Sequence, residues 1–144
     1  MITEPDMILR ITCAFVFGGV IGLEREICRH EAGLRTHILV CVGSTLIMLT
    51  SLHIFDIYKS VAAVDPTRIA AGVVTGIGFL GGGAIIRSQE GIRGLTTASS
   101  LWVVSALGLA IGCGFIKLAL YVTVLSLLVL MLLRRIETRI LKKG

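Results

Sequence analysis

The chain has 144 residues, 55% of them hydrophobic and only 16% charged, with a mean hydropathy of +0.93. Its apolar residues fall in runs of spanning length, which excludes an ordinary soluble domain and points to a single helical unit in a membrane. The net charge of +5 sits in loops and tail, beside no nucleic-acid motif and no aromatic stacking platform, so it reads as topology signal and contact to anionic lipid.

The first predicted helix covers 7–23. Acids precede it, and it lacks a basic leading segment and a small-residue cleavage site, so it reads as a span and not a removed signal peptide. Arg10 interrupts it one turn in. Asp6 stands four residues earlier, the spacing of an acid-first helical ion pair. Arg10 then either snorkels to the interface or acts as a charge inside the bundle. Ala14, Gly18 and Gly22 recur every four residues and form a smooth stripe for a neighbouring helix. The polar segment 24–35 alternates in sign, suits an interfacial helix extension that Gly33 ends, and allows a Glu31–Arg35 pair.

The second helix is predicted over 36–55. His37 in its first turn reads as a solvated or hydrogen-bonded boundary residue before a proton relay. Asp65-Pro66 is a helix-start signal, Asp65 as cap and Pro66 at the first helical position. The third helix is then expected over 66–87. Six glycines fall within twelve residues there, and the pairs Gly72/Gly76 and Gly78/Gly82 read as packing surfaces that place this helix at the centre. The run Gly81-Gly82-Gly83 is open to two readings, tight packing or a non-helical break covered by other protein. A short polar turn with Glu90 and Arg93 leads to the hydroxyls Thr96, Thr97, Ser99 and Ser100 and a fourth helix over 96–112, with Gly108/Gly112 as a further small pair. Cys113-Gly114 is a short turn. The fifth helix, 115–133, is rich in Leu and Val, so it is expected to be the most lipid-exposed, and a basic tail, 134–144, follows.

Cys13, Cys28, Cys41 and Cys113 match no zinc spacing and read as small apolar residues. Five spans put the termini on opposite sides. With the N-terminus outside, ten Lys and Arg residues collect inside and four (Arg10, Lys59, Arg68, Lys117) outside, so the expected orientation is N-out and C-in.

That topology gathers Glu24, Arg25, Glu26, Arg35 and His37 on the same side as Arg87, Arg93, Thr96 and Thr97. Arginines beside a hydroxyl-bearing helix start could hold a phosphate or carboxylate. The plainer alternative is that Thr96 or Thr97 caps the fourth helix while the glutamates hold the arginines, clamping the helix ends. The outer-face charges are Asp6, Arg10, Asp65 and Arg68, and with Asp56 the two aspartates are thin material for a magnesium site. No metal site or cofactor is expected. No nucleophile–base set, nucleotide loop or paired carboxylates can be read, so an enzyme is not expected.

The segments GLERE at 22–26, AGLRTH at 32–37, DPTRIAAGVVTGIGFLGGGAII at 65–86 and GLTTASSLWVVSALGLAIGCG at 94–114, in this order, resemble the MgtC/SapB family of bacterial membrane proteins. The resemblance implies an inner-membrane protein of about five spans. It also implies a stress or virulence role linked to low magnesium, acid or the macrophage, as in the member that restrains the ATP synthase and affects phosphate uptake. Many members carry a soluble C-terminal domain. This chain stops at Gly144 without one, so it is expected to be a short or truncated form.

The function expected from residues and resemblance together is a non-enzymatic membrane factor, a homo-oligomer with a dimer favoured, that docks onto another membrane complex. The alternative is a small transporter or channel for magnesium, protons or phosphate. Few intramembrane charges, all near helix ends, lean toward the first.

Overall fold

The computed structural model describes residues 2–89 and 91–133. The expected basic tail, 134–144, and Glu90 lie outside the described residues. The described chain forms five α-helices: α1 Glu4–Ile27, α2 Leu34–Tyr58, α3 Thr67–Gly83, α4 Leu95–Gly112 and α5 Ile116–Leu128, the last continued by one π-helical turn, Val129–Leu133. The architecture is the expected all-α polytopic bundle.

Local chemistry explains the helix ends. Pro5 lies in the first turn of α1, where its missing N–H costs nothing, and Glu4 and Asp6 face the positive end of the helix. At the other end, Arg29 takes a left-handed φ of 56°. Its amide bonds the Glu26 carbonyl and the His30 amide bonds the Arg25 carbonyl, closing the helix with a Schellman turn. The interfacial extension therefore stops at Ile27 and does not run to Gly33, which instead precedes α2. The same device ends α4, with Gly114 at φ 91°, the Gly114 amide on Ile111 and the Phe115 amide on Ala110.

Two residue ladders set the helix directions. Leu34 and His37 of α2 pack on Gly22, and Cys41 on Gly18, so α1 and α2 run antiparallel. His37 meets Ser100, Ser44 meets Ser105, Thr45 meets Gly108 and Met48 meets Gly112, so α2 and α4 run parallel. Two parallel neighbours require a return path, and α3 supplies it. It begins where Ser51 donates to the Pro66 carbonyl at 2.7 Å and ends where Gly81 meets Ala98.

Among the described residues, four helices, α1, α2, α4 and α5 with its π turn, are long and apolar enough to cross a membrane. With only 17 residues, α3 rises about 25 Å, a little less than a hydrocarbon core of about 30 Å. It was expected to reach Arg87. It stops instead at Gly83, and the chain enters a two-stranded antiparallel hairpin, β1 Ile86–Ser88 and β2 Gly91–Arg93. The glycine triple is thus helical and also the point where the helix ends.

The centre of the bundle is α4, not α3. Half of its apolar window is buried and it packs against each of the other four helices. By contrast, α3 buries only Ile77 and Gly81. A Cβ added at Gly72, Gly76, Gly78 or Gly82 would meet nothing within 4 Å among the described residues. The expected packing surface on α3 is not used within the chain. The close contacts come from Gly18, Gly22, Gly108 and Gly112, where an added Cβ would press into α2. Around them lies the core of Ala14, Ile21, Cys41, Val104, Leu107, Ile111 and Ala119. The least buried of the four spans is α5, in line with a lipid-facing Leu/Val helix.

Candidate functional site

The polar residues gather at both ends of the α1–α2–α4 core and along the seam between α2 and α4. At the end where α1 finishes, Glu24 and Arg25 are both buried, with Arg25 Nη1 and Glu24 Oε2 3.5 Å apart. Glu26 reaches over the turn, and its Oε2 accepts the Leu34 amide at 3.0 Å. This carboxylate serves the start of α2, because Gly33 has no side chain to cap it. All three sit at one end of the bundle.

The same end holds His37, which is not solvated: its exposure is 0%. Its Nδ1 lies 2.8 Å from the Gly33 carbonyl and its Nε2 3.0 Å from the Ser100 hydroxyl. Thr97 is buried, and its hydroxyl donates to Glu31 at 3.4 Å. Neither Thr96 nor Thr97 caps α4 through its side chain; the N-cap is Gly94, in a left-handed conformation where an added Cβ would collide with the Ala84 carbonyl. Thr97 therefore does not join the exposed Thr96, Arg35 and Arg87 around one anion, and the carboxylate near the positive end of α4 is the chain's own Glu31. The expected Glu31–Arg35 pairing gives way to this contact across elements. Arg87 and Arg93 sit exposed on the hairpin. These contacts clamp helix ends together.

Along the seam, Ser44 and Ser105 share a hydrogen bond of 3.1 Å, and the Thr45 hydroxyl lies 2.9 Å from the Cys41 carbonyl and 2.8 Å from that of Gly108. Hydroxyl bonds of this kind hold helices together where no hydrophobic force acts between them. At the far end, Arg10 donates from Nη1 to the Gly112 carbonyl and from Nη2 to Asp6, each at 2.6 Å. The expected Asp6–Arg10 pair is present, but Arg10 does more than snorkel: it ties the start of α1 to the last turn of α4. Asp56 pairs with Lys59 at 2.8 Å. Asp65 accepts the Thr67 hydroxyl and amide, bonds that hold its carboxyl below the ordinary carboxylate range. Arg68 is exposed in the first turn of α3. All three acids considered for magnesium are thus engaged locally. Among the described residues no three His, Cys, Asp or Glu side chains group as a metal site. None of the four cysteines forms a disulfide among the described residues.

Sequence reasoning missed Glu31, Ser44, Thr45, Ser100 and Ser105 as members of this network. A signal was there for part of it: His37, Cys41 and Ser44 recur at helical spacing and so share one face of α2. The partner face on α4 was marked in part, by Gly108 and Gly112 at a spacing of four.

The fold and this network define a multi-pass helical membrane protein. The sequence profile described as the MgtC family matches residues 11–139, and the chain belongs to that family. It is 42% identical over 141 residues to an Escherichia coli K12 protein described as "Putative magnesium transporter YhiD", covering 96% of this chain and 66% of that one. It is 40% identical over 118 residues to protein SapB of Bacillus subtilis, covering 79% of this chain and 50% of that one. Protein MgtC of Salmonella typhimurium LT2 is 40% identical over 133 residues, covering 92% of this chain and 54% of that one. The chain thus spans between half and two thirds of the length of these relatives. No solved structure matches it.

Proposed function

We propose that this chain is the membrane part of a non-enzymatic factor for adaptation to low magnesium, acid or the macrophage. It acts by modulating a membrane partner such as the ATP synthase, or phosphate and ion homeostasis. The observation that carries this reading is where the polar groups go. The hydroxyls between α2 and α4 and the buried His37 are engaged with neighbouring helices and turns, and glycines bring α1 and α4 into backbone contact with α2. What this leaves for action on other molecules is the outside of the bundle. There Arg35, Arg87 and Arg93 suit anionic headgroups or a bound phosphate at the surface.

A homodimer is part of the proposal. A Cβ added at Gly72 or Gly76 on α3, or at Gly43 on α2, would meet nothing within 4 Å among the described residues, and the three border an open apolar groove of about 500 Å³. A second copy of α3 is the occupant that fits such a surface, since small residues let transmembrane helices meet closely. The transporter reading rests on the YhiD name. Reconstitution separates the two. Proteoliposomes of the pure chain should show no magnesium, proton or phosphate flux above empty liposomes, while its presence in inverted vesicles lowers ATP-driven proton pumping. Saturable flux from the pure chain would establish the transporter instead.

A further inference from the structure

The contacts of His37 admit two arrangements of hydrogens. Its Nδ1 faces the Gly33 carbonyl at 2.8 Å, and a carbonyl can only accept, so Nδ1 carries a hydrogen. Its Nε2 faces the Ser100 hydroxyl at 3.0 Å, and that hydroxyl also lies 2.8 Å from the Thr97 carbonyl. Ser100 has one hydroxyl hydrogen to give. If it goes to the Thr97 carbonyl, Nε2 must itself donate to the Ser100 oxygen, and the ring is a cation. If the ring is neutral, the Ser100 hydrogen goes to Nε2 and the contact with Thr97 is no longer a hydrogen bond. The same atoms provide for two states that differ by one proton.

The surroundings make the difference matter. His37, Ser100 and Thr97 are all buried, at 0%, 6% and 2% exposure. The charges facing the ring come from α1, as Glu24 and Arg25. The turn before α2 adds Glu31, on the Thr97 hydroxyl. No charged residue occurs within α4; the charge of α3, Arg68, lies at its opposite end, and the hairpin arginines are exposed. A mostly apolar cleft of about 270 Å³ lined from α1, α4 and α5 reaches Ser100.

We propose that His37 is a proton-binding site inside the bundle and Ser100 its switch. A proton taken up at Nε2 turns the Ser100 hydroxyl from the ring to the Thr97 carbonyl; release turns it back. Only an N–H bond forms or breaks, and the ring gains or loses one positive charge. That charge appears beside Glu24 and Arg25, so α1 and the start of α4 both feel it.

Histidine-selective ¹⁵N and carbonyl ¹³C NMR of the full chain in phospholipid nanodiscs tests it. His37→Gln identifies the His37 signals among those of the three histidines. As the pH falls from about 9 to about 5, a range around the ordinary imidazole value near 6.5, Nδ1 should stay protonated while Nε2 changes from acceptor to donor. The Thr97 carbonyl signal should shift in step. In Ser100→Ala that step at Thr97 should be lost, and in Ser100→Thr it should return. A wild-type Nε2 that keeps one state across the range would overturn the proposal. So would an Nε2 that titrates while the Thr97 carbonyl stays still. Both overturning results are read on the wild type, so they do not depend on a variant folding.

Discussion

Glu26, the next-to-last residue of α1, caps α2 by accepting the amide of Leu34 at 3.0 Å. The contact needs Gly33 to lack a side chain, because a Cβ there would collide with the Glu26 carboxylate. The two residues should therefore couple. Glu26→Ala should cost about 0.5–2 kcal/mol, the usual loss on removing a cap. Gly33→Ala should be more harmful in the wild type than in the Glu26→Ala background, where the colliding carboxylate is gone. A double-mutant cycle in detergent unfolding measures the difference; equal cost in both backgrounds would mean that Glu26 does not set the need for glycine.

Glycine substitutions should sort by helix. Gly18→Val would place carbon 2.7 Å from the Cys41 Cβ, and Gly112→Val 2.6 Å from that of Met48. Each should cost about 1–3 kcal/mol through overpacking. Gly76→Val meets open space in its own chain. It should leave monomer stability within about 0.5 kcal/mol and weaken self-association. Thermal unfolding and cross-linking yield, read together, distinguish the two classes.

Arg10 should anchor the far end of α4. In Arg10→Ala the Gly112 carbonyl loses its side-chain donor and Asp6 its partner. A loss of about 1–3 kcal/mol is expected, with faster amide exchange at Gly114 and Phe115, the residues that close α4. Unchanged exchange there would show that Arg10 does not hold this end.

Arg29 occupies a left-handed position that glycine adopts without penalty. A non-glycine residue there gives up roughly 1–2 kcal/mol. Arg29→Gly should recover part of that, and the melting temperature should rise while the Schellman bonds remain. A fall would show that the exposed Arg29 side chain contributes more than its backbone costs.

Orientation can be tested with single cysteines on a background without the four native ones. The bias of ten basic residues against four predicts that Ser60 is labelled from outside and Gln89 from inside. The reverse pattern would invert the bundle.

Much of the architecture was legible in the chain itself. Apolar runs of spanning length mark helices because a buried backbone in lipid must satisfy its own hydrogen bonds. The stripe of Ala14, Gly18 and Gly22 marks a packing face because small residues at a spacing of four share one side of a helix. Asp6 and Arg10 form a local pair for the same reason. Only the tertiary structure decided which small-residue faces are used. The glycines of α3 and those of α1 and α4 look alike in sequence, but the parallel pairing of α2 with α4 buries Gly108 and Gly112 and leaves Gly72 and Gly76 outside. Glu31 on Thr97, and His37 on Ser100, are 66 and 63 residues apart in the chain. No local period can announce such contacts, because they exist only once two helix ends have been brought to the same place.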